Sequence, residues 1–152
     1  MKINFTKKQY AELIDALEIA DCIFGTMADF IDEKYKERTK KLTDLKTYLF
    51  GFANEFDFED RIERDGDIIY FKEEEFDRIM DILIKYEEYI FWHELAVKMS
   101  HKLFWEKYGK EKIKKMSQDE RYLKAGEIED ELFENFCEKG LDLLSLKEVK
   151  LK

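Results

Sequence analysis

Both histidines and both tryptophans of the chain fall between Tyr86 and Tyr122, and their spacing decides what chemistry they could do. His93-Glu94 opens like the helix motif of zinc proteases, which needs a second histidine four residues after the first so that both face one ion. Position 97 is Val97, and that reading fails. Glu87, Glu94 and His101 recur every seven residues among Met80, Leu83, Ile90 and Val97, and so share one helix face. Seven helical residues advance about 10.5 Å, too far for the three to hold one ion unaided. A di-iron centre in a bundle core needs Glu-x-x-His on two helices. Ile90 and Lys98 stand three residues before the two histidines, where those glutamates would be. No catalytic residue, metal ligand or cofactor is expected from this set. The stripe reads as an interface whose charged edge pairs with Lys or Arg of a neighbouring helix.

The same segment interleaves basic and aromatic residues. Lys98, Lys102, Lys107, Lys110, Lys112, Lys114 and Lys115 run among Phe104, Trp105 and Tyr108. Such a pattern can stack bases and hold phosphates of a single strand. No arginine lies between Arg78 and Arg121, so planar bidentate phosphate recognition is missing. The lysines are expected instead to pair with Glu127, Glu129, Asp130, Glu131 and Glu134. Trp92, His93, Glu94, His101, Trp105, Tyr108 and Arg121 are left as a candidate protein-interaction surface, since exposed Trp, Tyr and Arg anchor such interfaces.

Charge and composition bound the remaining possibilities. The net charge is −9, yet residues 89–117 carry 7 basic and 3 acidic side chains, while residues 59–88 carry 5 and 12. An acidic whole disfavours nonspecific DNA binding. The acidic region 59–88 could imitate a phosphate backbone and occupy a partner's basic groove. Nothing in the chain matches a phosphate-binding glycine loop, a nucleophile elbow or a catalytic triad. Cys22 and Cys137 stand far apart in no metal-type spacing, which suits buried thiols in a reducing compartment. No apolar run approaches the roughly 20 residues that span a bilayer, and MKINFTKKQY lacks the apolar stretch of a signal peptide. A cytoplasmic location, with no membrane association, is expected.

The elements that must position these residues are helical. The chain has 152 residues, 45% of them apolar and 41% charged, with no proline. That is a length for one domain, with the makeup of helices bearing a solvated face. Thr6 with Gln9 forms a capping box ahead of a helix of about 25 residues, with Phe5 placed to staple against Tyr10. The charged run Glu33–Lys41 predicts a connection. Leu42, Leu45, Leu49, Phe52, Ala53 and Phe56 predict a second helix. Asp65-Gly66 predicts a hairpin turn near 61–71. A long helix from Glu73 to about Tyr108 should stop at Gly109. Ser117 with Glu120 caps a last helix that Gly140 ends, with Leu141 folding back over it and Ala125-Gly126 as a point of interruption. The reading is an all-α, single-domain bundle of about 4–6 helices over 1–152, with a short β-hairpin and frayed ends at 1–3 and 146–152.

FWHELAVKMS, EKYGKEKIKKMSQDER and ENFCEKGLDLL resemble segments of an uncharacterised family of short all-helical bacterial and phage-borne proteins. Its FW-x-EL and YG-x-x-x-I-x-x-M-x-x-x-ER patterns fall on Phe91, Trp92, Glu94, Leu95, Tyr108, Gly109, Ile113, Met116, Glu120 and Arg121. The resemblance implies a small helical protein and no particular activity. Together these features predict a non-enzymatic interaction or regulatory protein that contacts a protein partner or a second copy of itself. The alternative is an acidic inhibitor of a nucleic-acid-binding protein.

Overall fold

The computed structural model describes residues 4–144. The expected fraying at 1–3 and 146–152 lies outside them. The fold is all-α: among the described residues there are four α-helices and one two-stranded hairpin. Length and composition predict one helical domain; the chain divides into two compact units, Met1–Ile84 and Lys85–Lys152. Among the described residues no helix is long and apolar enough to cross a membrane.

In the first unit, α1 (Lys7–Phe30) begins at the predicted capping box, with the Thr6 side chain accepting from the Gln9 amide. Helix α2 (Lys36–Phe50) starts inside the charged run that predicts a connection. Lys41–Glu37 and Lys40–Asp44 pairs along its outer face explain why that run is helical. A 3₁₀ turn at Glu33–Tyr35 makes the connection. Helix α2 also ends earlier than expected, at Gly51, and Ala53–Phe56 forms a separate 3₁₀ turn.

Strands β1 (Ile62–Asp65) and β2 (Ile68–Phe71) pair antiparallel, Ile62 opposite Phe71 and Asp65 opposite Ile68. The turn is therefore Gly66-Asp67, one residue later than predicted. Its positive φ of 59° falls on Gly66, the first central position, where a tight hairpin favours glycine. The core gathers Tyr10, Ile14, Phe50, Ala53, Phe58, Ile62, Phe71 and Ile79. Tyr10 stacks on Phe56 at 4.2 Å and meets Phe58 edge-on at 5.3 Å, while its hydroxyl donates to the Leu49 carbonyl at 2.6 Å.

Helix α3 (Glu73–Lys115) opens in the first unit and belongs to the second from residue 85. Gly109, at φ 69° and ψ 157°, breaks it where a stop is predicted, and the chain resumes a helical course to Lys115. That backbone region is open essentially to glycine alone. The break allows Ile113 and Met116 to cluster with Phe104 and Ile128 in a second core. Helix α4 (Gln118–Lys139) starts on Ser117, whose hydroxyl accepts from the Glu120 amide at 3.1 Å. It runs unbroken through Ala125-Gly126 and ends at Gly140. Leu141 is 68% exposed and does not fold back as a cap.

Candidate functional site

The seven predicted surface residues separate into three groups. Trp92 and His93 are half-buried against the later turns of α4. Trp92 stacks on Phe136 at 5.5 Å, and His93 meets Phe133 edge-on at 6.0 Å and stacks with Tyr89 at 5.9 Å, while Tyr89 itself meets Phe133 edge-on at 5.4 Å. The His93 Nε2 lies 3.8 Å from a Glu129 carboxylate oxygen. These two side chains mainly hold α3 to α4.

Glu94 and Tyr108 are engaged otherwise. Glu94 is exposed and accepts from the Lys98 ammonium at 3.0 Å, one turn on, which holds its carboxyl below the ordinary range. Tyr108 packs on Phe104 at 5.1 Å, and three ammonium groups, from Lys107, Lys112 and Lys124, stand 5.4–5.7 Å from its ring centroid. Pairing of the basic run with α4 carboxylates is not what forms. Lys98, Lys102 and Lys114 pair within α3, with Glu94, Glu106 and Glu111. Neighbours three or four apart on a helix reach one another at less entropic cost than residues on a second helix.

His101, Trp105 and Arg121 form the third group, and they do come together. With Tyr122, Gln118, Phe104 and Ala125 they line a shallow concavity of about 330 Å³ between α3 and α4. Trp105 is 54% and Tyr122 80% exposed. Trp105 thus stands out from the bundle, unlike Trp92. Arg121 donates to the Lys114 carbonyl at 3.4 Å, tying the start of α4 to the end of α3. Glu87, Glu94 and His101 are all exposed and do not converge on one point. Among the described residues no three His, Cys, Asp or Glu side chains are placed to hold a metal ion.

Two polar clusters in the first unit escaped sequence reasoning. Lys46, its side chain 14% exposed, donates to Glu18 at 2.5 Å and to Asp21 at 2.9 Å, with the Thr43 hydroxyl also on Asp21. Burial works against the Lys46 charge, but the two carboxylates outweigh it and raise its pKa. Arg61 donates from Nε to Glu75 at 2.7 Å and from Nη2 to Asp15 at 2.8 Å, its guanidinium 4.5 Å from the Phe58 ring centroid. Arg78 bridges the same two carboxylates. Partial burial pushes the Glu75 carboxyl up, yet the two arginines bring it below its ordinary value. Apart from Arg78 and Glu75, three residues apart on α3, the pairs span 14 to 63 residues of sequence, and no local pattern announces them.

Glu18 and Lys46 also lie in the wall of a groove of about 710 Å³, bordered by β2, α2 and Phe76. No family model matches the chain, and no curated protein or solved structure is recognisably similar to it.

Proposed function

We propose that this is a non-enzymatic interaction or regulatory protein that works through protein–protein contacts at the α3–α4 surface around Trp105. One observation carries the reading: Trp105 and Tyr122 project beside His101 and Arg121 at a single concavity. Tryptophan, tyrosine and arginine contribute disproportionately to binding energy where a partner excludes water from them. The FW-x-EL and YG segments that resemble the bacterial and phage-borne family bracket this surface. Cys22 and Cys137 are both free thiols, in keeping with a reducing setting, although neither is buried as expected: Cys22 is half-buried and Cys137 exposed.

A photo-crosslinking residue at Tyr122, with the exposed Tyr48 in the first unit as a control, tests it. A discrete cross-linked polypeptide is expected from position 122, lost on Trp105→Ala; light scattering then tells a second copy from another protein. Equal labelling from both positions, unaffected by Trp105→Ala, overturns the reading.

A second reading rests on the acidic region. Glu59, Asp60, Glu63, Asp65, Asp67, Glu73, Glu74 and Asp77 are all exposed. Such a field supports the inhibitor alternative, a competitor for the basic groove of a nucleic-acid-binding protein. Loss of competition on charge reversal of Asp65 and Asp67, in a DNA-displacement assay, is its signature.

A further inference from the structure

Among the described residues the hairpin has two strands, and β2 has one edge without a partner strand. The register says which groups that edge presents. Lys72 donates its amide to the Arg61 carbonyl at 3.0 Å, so Arg61–Lys72 is a bonded position of the ladder. Bonded and non-bonded pairs alternate along an antiparallel ladder. Glu63–Tyr70 and Asp65–Ile68 are then bonded pairs, and Arg64–Ile69 is not. The N–H and C=O of Ile69 point away from β1, and among the described residues no other backbone group takes them up.

The groove lies along this edge. Ile68 and Tyr70 belong to the exposed face of the hairpin, Ile69 and Phe71 to the face that packs on the core. All four line the groove. A depression that touches both faces of a strand follows the strand's edge. Phe50, Phe76 and Thr47 supply much of the remaining wall, and Glu63, Asp67 and Glu73 add carboxylates. Lys46 is the one cation in the lining, and it is already held by Glu18 and Asp21. The groove is therefore apolar, negatively charged, and fitted along one side with unpaired main-chain donors and acceptors.

The geometry points to strand addition: this groove takes an extended segment of a partner protein in which lysine or arginine alternates with apolar residues. Main-chain bonds to Ile69 set its register, alternate apolar side chains meet the exposed Phe76 and the half-buried Ile69 side chain, and the basic ones meet Glu63, Asp67 and Glu73. The site is distinct from the Trp105 surface and does not depend on it.

The test is fluorescence anisotropy with the full chain and a labelled peptide of alternating lysine and valine. Saturable binding is expected, at least about tenfold weaker for a peptide of the same composition in blocks, and for Asp67→Lys/Glu73→Lys, a shift of about 1.4 kcal/mol. Both substituted positions are exposed, and circular dichroism confirms that the variant folds. N-methylation distinguishes strand addition from charge attraction. Methylating one alternate set of peptide amides should abolish binding, and methylating the other should leave it intact. Equal effects from the two sets, insensitivity to charge reversal, or no saturable binding overturns the proposal. Trp105→Ala is expected to leave peptide binding unchanged, so this site and the α3–α4 surface are judged separately.

Discussion

The Lys46 ammonium stands 2.5 Å from the Glu18 carboxylate, joining two helices through charges that water barely reaches. Glu18 is 7% exposed as a residue. Replacing Lys46 with methionine leaves that carboxylate buried with no cation, and the expected loss is about 3 kcal/mol. Changing both residues together, Glu18→Leu with Lys46→Met, should recover much of it. Urea unfolding midpoints of the two variants and the parent chain decide the matter; a Lys46→Met midpoint equal to that of the parent chain sinks the argument.

Alkaline pH should weaken the first unit. Burial pushes the Tyr10 phenol up to about 12, so the folded chain holds that proton more tightly than the unfolded one. Its contribution is complete below the unfolded value of about 10 and is lost as pH rises through the folded value. The raised Lys46 pKa acts in the same direction at high pH. Tyr10→Phe removes the hydrogen bond to Leu49, costing about 1 kcal/mol at neutral pH, and flattens but does not abolish the alkaline decline. Melting temperatures followed from pH 8 to 11.5 check both parts.

The opposite limb belongs to Glu75. Its carboxyl is lowered by Arg61 and Arg78 in the face of burial, so its stabilising effect is present above the ordinary carboxylate value and fades as pH falls through the folded one. Arg61→Lys keeps a charge but loses the fork that spans Asp15 and Glu75, along with the stacking on Phe58. Lower stability at neutral pH and a shallower acid decline are expected in acid titrations of the unfolding midpoint. An unchanged acid limb counts against the assignment.

The two tryptophans should separate by fluorescence. Trp105→Phe is expected to remove the red-shifted, readily quenched emission while altering stability by less than about 0.5 kcal/mol, as for an exposed position. Trp92→Ala removes the stack on Phe136 and should cost about 3 kcal/mol. Acrylamide quenching and denaturation of the two variants supply the comparison.

Glycines give a contrast of sign. Gly25 sits in the middle of α1 with open space where a Cβ would lie, so Gly25→Ala should stabilise by about 0.5–1 kcal/mol. Gly109→Ala also meets no neighbouring atom, yet its φ of 69° makes the same change cost about 1–3 kcal/mol. Thermal unfolding should rank the variants on either side of the parent.

What the sequence made legible was mostly local. The Thr6 cap, the Gly109 break and the Gly140 end are written in single residues with strong conformational preferences. The turn was displaced by one residue because Asp65-Gly66 and Gly66-Asp67 are both turn formers. The choice between them belongs to Ile62 and Phe71, which must face the core together. The start of α2 was hidden because charge runs look alike in a loop and on a solvated helix face. Trp92 and Trp105 were indistinguishable by type, and only the position of Phe136 on another helix separates them. Of the Lys46 and Arg61 clusters only the Glu75–Arg78 spacing is local, and the other partners meet only after the chain has folded.

The open edge of β2 has a consequence for how copies of this protein behave toward one another. An unpaired strand edge bearing Ile68 and Tyr70 is a template for self-assembly, and proteins commonly guard such edges with proline or charge. This chain has no proline, so its guards are the acidic side chains of the hairpin, Glu63, Asp65 and Asp67. Salt screens such repulsion and strong acid neutralises carboxylates. Solutions that do both remove the barrier to edge-to-edge stacking, and ordered aggregates seeded at the hairpin are the expected result, before the helices themselves have unfolded.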